Sequence, residues 1–154
     1  KTISELIAIT TRLNKNAALA AEGFSPRACT DVTGFGLAGH LLEVARASKK
    51  EISLSVSAVP VIASALEFGR MGLFPAGAYA NKKFFEPSID FAPELDPILT
   101  DLLFDPQTSG GLLLALPESN ASKLVRILQE QGIEAGIIGE VTGHHTCGTL
   151  RILP

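Results

Sequence analysis

The chain has 154 residues, of which 46% are hydrophobic and 19% charged, and a formal net charge of −3. This is enough chain for one domain with a sizeable core, and the balance is that of an ordinary globular protein. The composition offers no basic stripe and no tryptophan for a nucleic-acid surface, and no apolar run near the roughly 20 residues of a membrane span. Two cysteines, Cys29 and Cys147, do not make a disulfide framework. The opening residues do not have the pattern of a secretory leader, so none is expected. The expectation is a cytoplasmic protein with neither nucleic acid nor membrane as a partner. The start at Lys1 points to a fragment or a processed chain.

Thr2 and Glu5 have capping-box spacing. Leu6, Ile9, Leu13, Ala17 and Ala20 then recur every three to four residues, predicting one helix over about 3–22 with its apolar stripe on the core and Asn14, Lys15 and Asn16 toward solvent. Thr30, Val32 and Thr33 favour a strand. Leu37, Leu41, Val44 and Ala45 predict a helix over about 36–47. Alternation of Ile52, Leu54 and Val56 with serines reads as a half-buried strand. A short helix follows from Val61 to Phe68. Residues 70–93 carry little periodicity and five Gly or Pro residues, so they read as a long loop. In it lie Asn81, Lys82 and Lys83, the lysines either meeting phosphate or forming solvated surface. Pro93 suits the first turn of the next helix, with Leu95, Ile98, Leu99, Leu102 and Leu103 on its buried face. Leu112 to Leu116 is apolar on both faces and reads as a central strand. A helix from Pro117 ends at Gly132. Ile137 to Val141 and Leu150 to Leu153 read as strands joined by a hairpin turn at Gly143 to Gly148. The His144-His145-x-Cys147 cluster in that turn lacks a second ligand pair, which argues against a metal site. The order of elements predicts an α/β (α+β) architecture, a mixed sheet covered by helices.

The stretch Ala28 to His40 combines a strand end, a glycine turn and a helix start. Gly34 and Gly36 allow a sharp turn and close approach of a ligand. Asp31 at the strand's carboxyl end could hold a hard cation such as Mg²⁺ that clamps phosphate oxygens, or Asp31 and Thr33 could simply cap the helix. Gly34-x-Gly36-x-x-Gly39 fits the dinucleotide spacing but lacks the acidic residue and βαβ context that would give it weight, and no Walker lysine follows. The polar run Asp105-Pro106-Gln107-Thr108-Ser109-Gly110-Gly111 is dense in groups that cap or hydrogen-bond, and reads locally as a turn.

Together, Ala28-Cys29-Thr30-Asp31-Val32-Thr33-Gly34-Phe35-Gly36 and Asp105-Pro106-Gln107-Thr108-Ser109-Gly110-Gly111-Leu112-Leu113 resemble the selenophosphate synthetase (selenide, water dikinase) family. Leu13-Asn14 with Ala17-Ala18, Gly39-His40-Leu41-Leu42-Glu43 and Ile138-Gly139-Glu140-Val141 are similar to it as well. The resemblance spans nearly the whole chain and covers only the C-terminal domain of that enzyme. It implies an aminoimidazole ribonucleotide synthetase-like C-terminal domain, residues 1–154 forming a single domain of a larger two-domain enzyme. That enzyme converts selenide, ATP and water to selenophosphate, phosphate and AMP. The resemblance also implies Mg²⁺ and ATP as cofactors, Asp31 as a ligand of Mg²⁺ on the ATP phosphates, and Thr33, Gly34, Gly36, Asn81, Asp105, Gln107, Thr108 and Ser109 as cofactor-binding positions facing one cleft. No catalytic residue falls in this chain, since the nucleophile and phosphate loop belong to the N-terminal domain, and Cys29 is not that thiol. The implied partners are the N-terminal domain and, in the full enzyme, a second copy in a homodimer. The alternative is a stand-alone, non-catalytic module that binds a nucleotide or a partner.

Overall fold

The structure, a computed structural model, describes residues 2–154. Among the described residues seven α-helices and six strands are interspersed, so the α/β class expected from the sequence is what forms. The chain divides into two compact units, Lys1–Val32 with Thr108–Ile137, and Thr33–Gln107 with Ile138–Pro154.

The first unit holds α1 (Thr2–Thr10), α2 (Lys15–Glu22), β1 (Ala28–Asp31), β4 (Leu112–Ala115) and α7 (Glu118–Glu130). The single helix expected over 3–22 is thus two. The Thr10 and Thr11 hydroxyls bond back to the carbonyls of Leu6 and Ile7, a competition that weakens the helix. The chain then breaks before Asn14, the N-cap residue of α2. The stripe splits with it: Leu6, Ile9 and Leu13 are exposed, whereas Ala17 and Ala20 pack on the core of Ala21, Leu124 and Leu128. The side chains of Thr2 and Glu5, the expected capping pair, lie outside the described residues. β1 and β4 form a two-stranded antiparallel sheet, with Asp31 opposite Leu112. Hence β4 is not a central buried strand. Its residues are all half-buried, and Leu114 packs on the α2–α7 core.

The second unit holds α3 (Gly36–Ser48), β2 (Lys50–Ser55), α4 (Ala63–Arg70), α5 (Ala76–Phe85), β3 (Ile89–Phe91), α6 (Pro97–Leu102), β5 (Gly139–His144) and β6 (Thr149–Leu153). Its sheet runs β3-β6-β2-β5. β2 pairs antiparallel with β5 and parallel with β6, so the expected β5–β6 hairpin does not form. The two strands flank β2 on opposite sides. Because β2 is central, Ser53 is buried along with Ile52 and Leu54. α3 covers this sheet with Ala38, Leu42 and Ala45, which are fully buried, above Leu54, Leu150 and Ile152.

Residues 70–93 are not a loop. They contain α5, a 3₁₀ turn at Glu86–Ser88 and β3. Alanines and an asparagine replace large apolar residues on α5, and only Ala78 and Phe85 are buried, so its period is faint in sequence. The next helix starts at Pro97, not Pro93. Asp96 caps it by accepting from the Ile98 N–H at 2.8 Å, and proline takes the first helical position.

Candidate functional site

The expected site residues fall in both units. In the first, Asp31 is the last residue of β1, and its side chain is exposed. Among the described residues no hydrogen bond or ion pair engages its carboxylate. The backbone continues the pairing one step further, Val32 N–H donating to the Gly111 carbonyl at 3.0 Å, which sets the Thr108–Gly111 turn beside the strand end. Thr108 and Ser109 are exposed on this turn, and Ser109 adopts a left-handed φ of 59°. A non-glycine residue holds that conformation only where its surroundings enforce it. Asn14 is bonded to the next residue: its Nδ2 donates to the Gly110 carbonyl at 2.8 Å. Asn14 is therefore a half-buried clamp on the turn and not a solvent-facing residue, while Lys15 and Asn16 are exposed as expected.

In the second unit the two motifs are stitched together. Gln107 N–H donates to the Thr33 carbonyl at 3.0 Å, and Ala38 N–H to the Leu103 carbonyl at 2.9 Å. Asn81, reaching from α5, donates through Nδ2 to the Gly34 carbonyl at 2.7 Å and the Phe104 carbonyl at 3.0 Å. Thr33, Gly34, Gly36, Asn81, Asp105 and Gln107 thus share one loop cluster. Gly36 is obligatory there: its φ is +70°, and a Cβ would stand 2.7 Å from the Leu103 carbonyl oxygen. Gly34 meets no such limit, with open space where its Cβ would be. Gly39 serves packing, since a Cβ would strike Phe35 and the Phe85 ring of α5.

Neither Asp31 nor Thr33 caps α3. The cap position falls on Phe35, and no side chain caps it. Lys82 is committed within the fold, donating to Asp101 Oδ1 at 2.7 Å with Glu86 at 3.7 Å. The hydrogen bond to Asp101 raises its pKa against the opposing effect of burial. Lys83 is exposed. At the His144–Cys147 turn the Cys147 N–H donates to His145 Nδ1 at 3.3 Å, and among the described residues no group of three His, Cys, Asp or Glu side chains could hold a metal ion.

Burial raises the Asp105 carboxyl pKa above the ordinary range, partly offset by a hydrogen bond from Gln107 Nε2 at 2.8 Å. A folded-state pKa above the unfolded value means that the folded chain holds this proton more tightly. The stability it contributes is full below the unfolded pKa and lost as pH rises through the folded one. Asp105→Asn, which keeps the acceptor for Gln107 without the charge, is expected to remove that loss. In urea titrations from about pH 4 upward, the variant should gain on the parent as pH rises; parallel profiles would show that the carboxylate is not desolvated.

A family model described as AIR synthase related protein, C-terminal domain, matches residues 1–149. The selenide, water dikinase of Clostridioides difficile (strain 630) is 43% identical over 138 residues, 89% of this chain and 40% of that protein. The one from Pelobacter propionicus is 46% identical over 132 residues, 85% of this chain and 38% of that protein. Selenide, water dikinase 2 of Peptoclostridium acidaminophilum is 39% identical over 141 residues, 91% of this chain and 40% of that protein. The chain spans about two fifths of the length of these relatives. No helix among the described residues is long and apolar enough to cross a membrane. On the match over residues 1–149, the chain belongs to the AIR synthase related family, as its C-terminal domain.

Proposed function

We propose that this chain is the C-terminal domain of a selenide, water dikinase, an enzyme forming selenophosphate, phosphate and AMP from selenide, ATP and water. The observation that carries the reading is the join of the two motifs through Thr33, Gln107 and Asn81, in a chain 43% identical to such a dikinase. Among the described residues Asp31 offers a carboxylate with no other partner. That suits Mg²⁺, which is held by one or two carboxylates and otherwise by water and substrate phosphates. When bound, Mg²⁺ neutralises charge on the phosphate oxygens. Asp31 fixes the cation's position. Asn81 and Gln107 hold the Thr33–Gly36 backbone in place, so the loop meets the nucleotide without first being ordered. Thr108 and Ser109 present hydroxyls from a turn that Asn14 holds through the Gly110 carbonyl.

The nucleophile and phosphate loop come from the N-terminal domain, and the full enzyme works as a homodimer in the cytoplasm. This chain alone is therefore inactive. The test is AMP formation from ATP, Mg²⁺ and selenide by the complete protein and by residues 1–154 alone. Turnover by the complete protein in the usual enzyme range, about 1–10³ s⁻¹, and none by the chain alone is expected. Comparable turnover by the chain alone would overturn the division of labour. A parent reading frame without an N-terminal domain, or a complete protein that binds ATP without cleaving it, would make this a binding module.

A further inference from the structure

Three side chains around the start of α3 stand in line, joined by one hydrogen bond and one ion-pair contact that the proposed phosphate chemistry does not use. Thr33 Oγ1 lies 3.1 Å from His40 Nε2. His40 Nδ1 lies 3.2 Å from Glu43 Oε2, one helical turn on. His40 is 9% exposed, and the Phe35 ring stands beside it at 5.6 Å between centroids. Glu43 is half exposed.

The polarity of this line follows from what each group can do. A carboxylate offers only lone pairs, so the 3.2 Å contact with Glu43 Oε2 favours the form with the hydrogen on His40 Nδ1. In a neutral imidazole Nε2 is then the acceptor, and the Thr33 hydroxyl must be the donor. A hydroxyl has one hydrogen. Once it is given to His40, the Thr33 oxygen has only lone pairs to offer a ligand.

We propose that Glu43 and His40 are positioning residues that lock Thr33 as an acceptor, so that it takes a cation or a ligand's own donor group and never donates to a phosphate oxygen. Phosphate oxygens at this loop are left to backbone N–H groups. The lock stands on the geometry of Thr33, His40 and Glu43; only its use toward a nucleotide rests on the proposed function.

This chain contributes three histidines, His40, His144 and His145, to a long-range ¹H–¹⁵N spectrum of the complete protein with labelled histidine. The His40 signal is identified by its loss in His40→Gln. His40 is expected as the Nδ1–H form, with Nε2 showing the shift of a hydrogen-bonded acceptor. Glu43→Ala should release it toward the Nε2–H form. Thr33→Val should move the Nε2 signal, and Thr33→Ser should leave it in place. An Nε2–H form in the parent protein, or a Nε2 signal indifferent to Thr33→Val, would overturn the lock. With Mg-ATP at saturation, checked by calorimetry, the Nε2 signal should stay where it was. A shift to the Thr33→Val position would show the hydroxyl turning to phosphate and overturn the proposal. Failure to bind Mg-ATP would count against the proposed function, while the tautomer would still decide the lock.

Discussion

Asp31→Asn in the complete enzyme is expected to lower selenide-dependent AMP formation by at least about 100-fold. Loss of a residue that merely supports a metal ligand costs 10–100-fold, and the direct ligand we propose Asp31 to be should cost no less. Asn keeps the shape of the side chain but loses the charge that a hard cation requires. The fold should not notice. Asp31 is exposed at the end of β1, its backbone pairing with Leu112 is independent of the side chain, and substitutions at such positions usually stay within about 0.5 kcal/mol. Activity measured against Mg²⁺ concentration, with Tm as control, separates the outcomes. A variant with full activity at ordinary Mg²⁺ would remove Asp31 from the site. A large fall in Tm would mean that the carboxylate supports the fold.

Gly36→Ala should be the most damaging single methyl in the loop cluster. The residue is buried with φ at +70°, and the added carbon would lie 2.7 Å from both the Leu103 carbonyl oxygen and the Phe104 carbonyl carbon. These are backbone atoms and cannot rotate away. Left-handed backbone costs about 1–3 kcal/mol for a residue with a Cβ, and overpacking about 1–3 more. A loss of about 3 kcal/mol is expected, or roughly 6–12 °C in Tm at 2–4 °C per kcal/mol. Gly34→Ala, where a Cβ meets open space, is the matched control. Equal Tm values for the two variants would show that the Leu103–Phe104 backbone yields.

The contrast between these glycines shows what could be read in advance. The Gly34–Gly36 turn and the Asp105–Gly111 run announced themselves through residue types that only turns and sites favour. Which glycine was indispensable depended on the Leu103–Phe104 backbone, some 70 residues away in sequence. Asn81 was legible as a candidate, but not the helix that carries it, because α5 buries only Ala78 and Phe85. Asn14 looked solvent-facing because its partner, the Gly110 carbonyl, is a backbone group with no sequence signature. The His40–Glu43 spacing of i, i+3 was readable; the Thr33 contact that gives it meaning was not. Strand positions came through better than strand pairing. β5 and β6 adjoin in sequence, and the usual hairpin inference fails because β2 lies between them.

That arrangement also sets an order of events for a nascent chain. β6 joins β3 on one side and β2 on the other, and Glu51 pairs with Thr149. Until residues 149–153 have been synthesised, β3 has no neighbour and β2 exposes an apolar edge. The whole of α7 must be made, and can fold on α2, while that edge waits. Contacts this distant in sequence form slowly, and an unpaired edge invites other chains. The second unit should therefore lean on chaperones late in synthesis, and its yield should be sensitive to any stop or tag introduced just before Thr149.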